Sequence, residues 1–263
     1  MSEESSEYQI TKQLGDERQR VTDCVASEEP LQITVDGTPV AVVMRTPGHD
    51  EDLVKGFLLT EGLVNSLDEV LRVDLEIKQN HALVFLADDV VLDHQSLSRN
   101  LYSASSCGIC GKASIEAIQQ NAPPIESGFM MPVKTVMGLP DTLRAEQEVF
   151  ANTGGLHAAA LFSEDGKLLV LREDVGRHNA VDKVIGWAAK EKIDRADTLL
   201  QVSGRVSFEV VQKALVARIP VVSAISAPSS LAVDFARESG QTLIGFLRPP
   251  KFNIYSGDER ITD

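Results

Sequence analysis

The sequence predicts an α/β protein in two unequal parts, a small α+β domain followed by a three-layer α/β/α domain. Three observations carry this. From Thr198 onward, short aliphatic runs alternate with helical stretches of about ten residues, the pattern of βαβ units. Ahead of residue 90, the apolar residues instead come as paired alternating runs with turn residues between them, the mark of hairpins. Asn121-Ala122-Pro123-Pro124 interrupts both patterns and reads as a linker. The expected division is residues 1–100 for the small domain, 101–127 for a flexible cysteine loop and linker, and 128–263 for the α/β domain.

Residues 1–20 are polar and aperiodic, and read as a loose tail or an edge strand. Residues 31–44 alternate, turn at Asp36-Gly37 and alternate again, a hairpin signature. Thr46-Pro47-Gly48 ends it, and residues 49–62 follow as a helix. There Leu53, Phe57 and the Leu58/Leu59 pair stand at helical spacing, and Gly62 is the stop. Residues 70–77 and 82–86 form a second strand pair that turns at Gln79-Asn80. A short helix is expected over 112–120, with Ile115 and Ile118 on one face. In the second half, a helix over 143–150 precedes an apolar run at 158–162, which turns at Glu164-Asp165-Gly166 into 167–172. A helix over 180–190 leads to strand 198–202, helix 207–217, strand 221–225, helix 229–238 and strand 242–246. This alternation predicts right-handed crossovers and a mostly parallel sheet.

Composition narrows the functional classes. The 263 residues carry a net charge of −14, of which residues 1–127 hold −13 and residues 128–263 only −1. That balance argues against nucleic acid as the partner and makes the second half the less repellent to an anionic ligand. No uncharged apolar run approaches the roughly 20 residues of a membrane span, and the acidic start is unlike a secretory signal. Three cysteines, an odd number, argue against a disulfide scaffold. A cytoplasmic protein without membrane association is expected.

Two of those cysteines, Cys107 and Cys110, stand between small and flexible residues in Ser105-Ser106-Cys107-Gly108-Ile109-Cys110-Gly111, outside any aliphatic strand pattern. Such composition presents sulfur to solvent. Structural zinc would need a second pair or suitably spaced histidines, and deaminase-type zinc would need His-x-Glu with Pro-Cys-x-x-Cys; neither pattern is present, so no metal is expected. Thioredoxin-type exchange would need the pair at an early strand-to-helix junction. Sulfur transfer through a persulfide needs an accessible thiolate, room to swing and a nearby acceptor.

An acceptor site is suggested where the predicted strands end, because ligands of open α/β sheets bind beyond the carboxyl ends of the strands. Ser203-Gly204-Arg205, Ser226-Ala227-Pro228-Ser229-Ser230 and Phe246-Leu247-Arg248-Pro249-Pro250-Lys251 each follow a strand, offering small residues and cations to phosphate oxygens. Arg172, Asp174, Arg177, His178 and Asp182 form the densest charged cluster of the second half, read either as ligand contacts or as a salt-linked turn. His157, beside Gly154-Gly155, reads as a base, a ligand contact or a core histidine. Residues alone lead to reactive sulfur beside an anion cradle.

Five segments stand in a telling order: Ser106-Cys107-Gly-Ile-Cys110-Gly, Thr153-Gly-Gly-Leu-His157-Ala-Ala, Glu173-Asp174-Val-Gly-Arg-His178-Asn-Ala-Val-Asp182-Lys183, Ser203-Gly-Arg205 and Ser226-Ala-Pro-Ser-Ser230. Together they closely resemble the formate dehydrogenase accessory sulfurtransferase family, FdhD/NarQ, from about residue 20 to about residue 256. The resemblance implies a cytoplasmic sulfurtransferase. It would take persulfide sulfur from a cysteine desulfurase and pass it to the molybdenum cofactor, as bis-molybdopterin guanine dinucleotide, for formate dehydrogenase. It also implies a cytidine-deaminase-like three-layer domain without the zinc site. Cys107 would carry the persulfide and Cys110 would assist. The stretch Phe246, Leu247, Arg248, Pro249, Pro250 and Lys251 would hold the cofactor, joined by Ser203, Arg205, Ser229, Arg177 and His178. A homodimer would hold two cofactor halves side by side. The alternative within the same resemblance is a non-catalytic chaperone for that cofactor.

Overall fold

A computed structural model describes residues 3–88, 90 and 122–263; Cys107, Cys110 and the helix expected over 112–120 lie outside the described residues. The chain opens with a hairpin where a loose tail or edge strand was expected: β1 (Ser5–Leu14) and β2 (Glu17–Ala26) pair antiparallel along their whole length. Gly15 at φ 61° supplies the turn. Both faces are polar, so no buried alternation announced these strands.

β3 (Glu29–Val35) and β4 (Thr38–Arg45) form the hairpin anticipated around Asp36-Gly37, whose φ values of 44° and 79° are those of a primed turn. α1 (Asp50–Thr60) follows, then β5 (Val70–Asp74) and β6 (His81–Leu86), giving a four-stranded sheet of order β4-β3-β6-β5. Leu53, Val54 and Leu58 of α1 close this core over Leu31, Ile33, Val35, Ala82 and Val84.

The larger sheet has the order β13-β12-β11-β10-β8-β9, built from β8 (His157–Ser163), β9 (Leu168–Asp174), β10 (Thr198–Val202), β11 (Val221–Ala224), β12 (Thr242–Arg248) and β13 (Lys251–Ser256). It is mixed rather than mostly parallel. β10, β11 and β12 run parallel, linked by helices α5 (Phe208–Val216) and α6 (Ser230–Glu238), whereas β8, β9 and β13 are antiparallel to their neighbours. The reason is local: β8–β9 and β12–β13 are joined by tight turns, and a tight turn can only reverse the chain.

Alternating side chains separate two apolar layers. Ala159 and Leu161 of β8 point to one side, where α4 (Arg177–Lys190), α5 and α6 supply Val181, Val184, Val211, Ala214 and Phe235. Ala158, Ala160 and Phe162 point to the other, against Val136, Leu139 and Leu143 of α2 (Val133–Ala145). These are the three layers read from the sequence. α2 begins ten residues before the helix expected over 143–150 and stops at Ala145; a separate turn, α3 (Glu148–Thr153), follows. Gly138 and Pro140 had masked the helical spacing of Val136, Leu139 and Leu143. The short strands β7 (Met131–Pro132) and β14 (Ile261–Thr262) pair parallel and tie the carboxyl end beside α2.

The two sheets are joined through α1 and α4, which present matched stripes. Asp52, Gly56 and Thr60 on α1 meet Lys190, Gly186 and Asp182 on α4 in antiparallel order. Lys190 Nζ donates to Asp52 Oδ1 (2.8 Å) and Thr60 Oγ1 to Asp182 Oδ1 (2.7 Å). At the centre only glycine fits: a Cβ on Gly56 would stand 1.8 Å from the Asp182 carbonyl oxygen, and one on Gly186 1.9 Å from that of Asp52. Arg172 Nη2 lies 2.8 Å from Asp52, and Lys213 Nζ lies 2.9 Å from both Asp182 and Glu61. Burial works against the Lys213 charge, but the Asp182 and Glu61 carboxylates outweigh it and hold its proton more firmly than usual.

Candidate functional site

A cavity of about 660 Å³ opens at the carboxyl edge of β10, β11 and β12. Ser203, Gly204 and Arg205 come from the end of β10, Ile225 and Ser226 from the end of β11, and Arg248 from the end of β12. His157 starts β8, which runs antiparallel to β10 and therefore begins where β10 finishes. The opposite wall is Gly154, Gly155 and Leu156 with Arg144, Gln147 and Phe150 from the α2–α3 corner. Among the described lining residues there are three arginines and no carboxylate. In a chain of net charge −14 this lining stands out as locally positive.

Several side chains are fixed by the fold around the cavity. Ser203 Oγ accepts the Ala158 N–H (2.8 Å), locking the β8 entry to the β10 exit. Arg248 Nε donates to the Ile225 carbonyl (3.1 Å), and the Arg144 guanidinium lies over the Phe150 ring at 4.5 Å. His157 packs against Gly204, where a Cβ would approach its Nδ1 to 3.2 Å. Burial pushes the His157 pKa down, and the Arg177, His178 and Arg205 charges push the same way, Asp174 alone opposing. Its imidazole is thus held neutral near pH 7, a hydrogen-bonding group whose protonation a bound anion would favour.

The expected site residues divide into two groups. Ser203, Arg205 and Arg248 are brought to one cavity with His157. The others stand elsewhere. Ser229 caps α6, its Oγ accepting the Ala232 N–H (3.3 Å). Leu247 is fully buried in the core shared with α2. Phe246 is 40% exposed and holds φ 52° at an irregularity of β12, and the cis Pro249–Pro250 turn leads to an exposed Lys251. His178 is buried, its Nε2 3.1 Å from both Ser207 Oγ and Glu209 Oε2. Burial works against the Glu209 charge, but hydrogen bonds from His178 and Ser207 and the nearby Arg177 outweigh it, leaving its carboxyl below the ordinary range. Arg177, beside His178 at the first turn of α4, reaches the cavity through its charge on His157.

The charged segment at 172–183 is a weld between the two halves. Asp174 and Lys183, 0% and 1% exposed, pair at 2.8 Å. Around them the Thr46 N–H and the Asn179 amide donate to Asp174, while Lys183 donates to the Thr46 carbonyl. Arg144, Gln147 and Phe150 were missed by sequence reading. They adjoin the predicted cavity only because α2 crosses the far face of the sheet, and no local motif marks that.

Mixed α/β architecture and an arginine-lined pocket at the strand ends define an α/β protein with a cationic cavity at the carboxyl edge of its sheet. A crystal structure described as a candidate formate dehydrogenase accessory protein from Desulfotalea psychrophila has the same fold, with a TM-score of 0.80 over 98% of this chain and 99% of that one at 24% identity. The sulfur carrier protein FdhD of Mycobacterium tuberculosis is 50% identical over 90% of this chain and 91% of its own. That of Streptomyces avermitilis is 49% identical over 91% and 89%, and that of Sulfolobus acidocaldarius 44% identical over 96% of each. The FdhD/NarQ family profile matches residues 26–262, and the chain belongs to that family.

Proposed function

We propose that this protein is a cytoplasmic sulfur carrier that matures formate dehydrogenase, taking sulfur from a cysteine desulfurase and passing it to the molybdenum cofactor in its guanine dinucleotide form. The observation that carries the reading is the cavity whose described lining holds three arginines and no carboxylate, at the strand ends of a strongly acidic chain. Phosphates of the cofactor suit Arg144, Arg205 and Arg248, with His157 as a further donor. Relatives near 50% identity over nine-tenths of the chain carry the name sulfur carrier protein, which supports the sulfur half of the reading.

The sulfur step balances with the two cysteines of the 105–111 segment. The Cys107 thiolate attacks the outer sulfur of the desulfurase persulfide; that S–S bond breaks, the donor thiolate leaves with the electron pair, and a Cys107 persulfide forms. Attack by the Cys110 thiolate on Cys107 Sγ then releases hydrosulfide to the cofactor and leaves a Cys107–Cys110 disulfide, which a cellular thiol reductant reopens. The test is a Cys107→Ala variant given radiolabelled sulfur by the desulfurase. Loss of label from the carrier together with inactive formate dehydrogenase is expected; retention of label and full maturation would reject the mechanism.

A further inference from the structure

We infer that Glu173 is a positioning residue of the cavity: its carboxylate holds the α3 corner, and through the Phe150 ring of that corner it sets where Arg144 stands. The inference rests on the use of the cavity for an anion proposed above, and adds to it a residue that does not line the cavity.

Successive residues of a strand face opposite sides of the sheet, and the end of β9 uses both. Asp174 points to the α4 side, where it pairs with Lys183 at 2.8 Å. Glu173 points the other way, toward α3, and its two oxygens accept the Val149 and Phe150 N–H groups, 2.9 Å each. α3 is six residues long, too short to hold itself in place. Gln147, the residue ahead of it, gives no side-chain cap, so the first turn of α3 has its N–H groups met from another strand.

What the corner carries matters to the cavity. Phe150 is part of the wall, and the Arg144 guanidinium lies over its ring at 4.5 Å. Glu173 thus fixes the Phe150 backbone, the Phe150 ring seats Arg144, and Arg144 faces the cavity. A cation placed beforehand binds an anion more tightly than one that must be ordered on binding. Glu173 keeps this role against its surroundings. Burial pushes its carboxyl pKa up, and the Glu4 and Glu148 charges push the same way; the Phe150 and Val149 N–H groups oppose them without reversing the direction. Lys183 reaches only the Glu173 backbone carbonyl (3.3 Å), its ammonium being paired with Asp174. A carboxylate in that setting is poorly suited to packing alone, whereas its two acceptors are what the corner requires.

The test is calorimetry of inorganic pyrophosphate with the full-length protein, Glu173→Gln, Arg144→Ala and the double variant. Glu173→Gln keeps the size and one acceptor but sets an NH2 against the other N–H. It should weaken pyrophosphate at least about threefold, although loss of a negative charge would by itself strengthen anion binding. In the Arg144→Ala background the same substitution should change affinity by less than about 1.5-fold, because the guanidinium it positions is gone. Phe150→Leu leaves the Glu173 cap in place and should reproduce the loss, however well Glu173→Gln folds. Tighter or unchanged binding by Glu173→Gln, an equal loss with and without Arg144, or wild-type binding by Phe150→Leu would overturn the positioning role while leaving the anion site standing. A wild type that does not bind pyrophosphate would overturn the anion site, and this inference with it.

Discussion

His157 shows how much one position can be tuned by what surrounds it. Burial and the neighbouring Arg177 and Arg205 charges suppress its protonation, so folding favours the neutral ring. Since its pKa lies below the unfolded value, the unfolded chain binds the extra proton; the associated stability is present above about pH 6.5 and declines as the pH falls below it. An anion in the cavity reverses the electrostatics and favours the imidazolium. Pyrophosphate affinity should therefore rise as the pH drops from about 7.5 to about 5.5, and His157→Gln should lose the part of that rise beyond the ligand's own titration. Identical pH profiles for the two proteins would remove His157 from the site. The ring was visible in the sequence as a histidine beside two glycines. Its neutral state was not, because Arg177 and Arg205 reach it through space.

At the scale of elements, the crossing of α1 and α4 is the joint that sets the two sheets against each other. Its glycines are in contact with backbone, so an added methyl group has nowhere to go. Gly186→Ala and Gly56→Ala should each cost about 1–3 kcal/mol in chemical denaturation, and cavities elsewhere give no reason for relief. Replacing Lys183 by Met strands Asp174 as an unpaired buried charge, with an expected loss of about 3–5 kcal/mol; a neutral outcome in the same titration would show the pair to be dispensable. The strands and helices from Thr198 to Phe246 were legible because each buries an aliphatic run of the proper period. The β1–β2 hairpin was not, since both its faces are polar, and α2 was hidden behind Gly138 and Pro140. Neither the Asp52-Gly56-Thr60 stripe nor its partner Asp182-Gly186-Lys190 resembles an apolar helix face, although each repeats at four-residue spacing. That regularity was the available signal for the joint.

Across the whole molecule, charge and topology point to the same edge. The acidic half of the chain carries almost all of the net charge, and the half that is close to neutral carries the arginine-lined cavity. The parallel strands β10, β11 and β12 bring Ser203, Arg205 and Arg248 together from positions spread over 46 residues of sequence, as the strand-end rule for open α/β sheets anticipates. The central claim is that Cys107 carries sulfur to that edge. It is tested most directly by the intact mass of the protein after incubation with a cysteine desulfurase and cysteine, followed by peptide mapping. The account predicts a gain of about 32 Da, one sulfur atom, located on the peptide holding Cys107, reversed by a thiol reductant and absent from Cys107→Ala. An unchanged mass, or the same gain in Cys107→Ala, would contradict it.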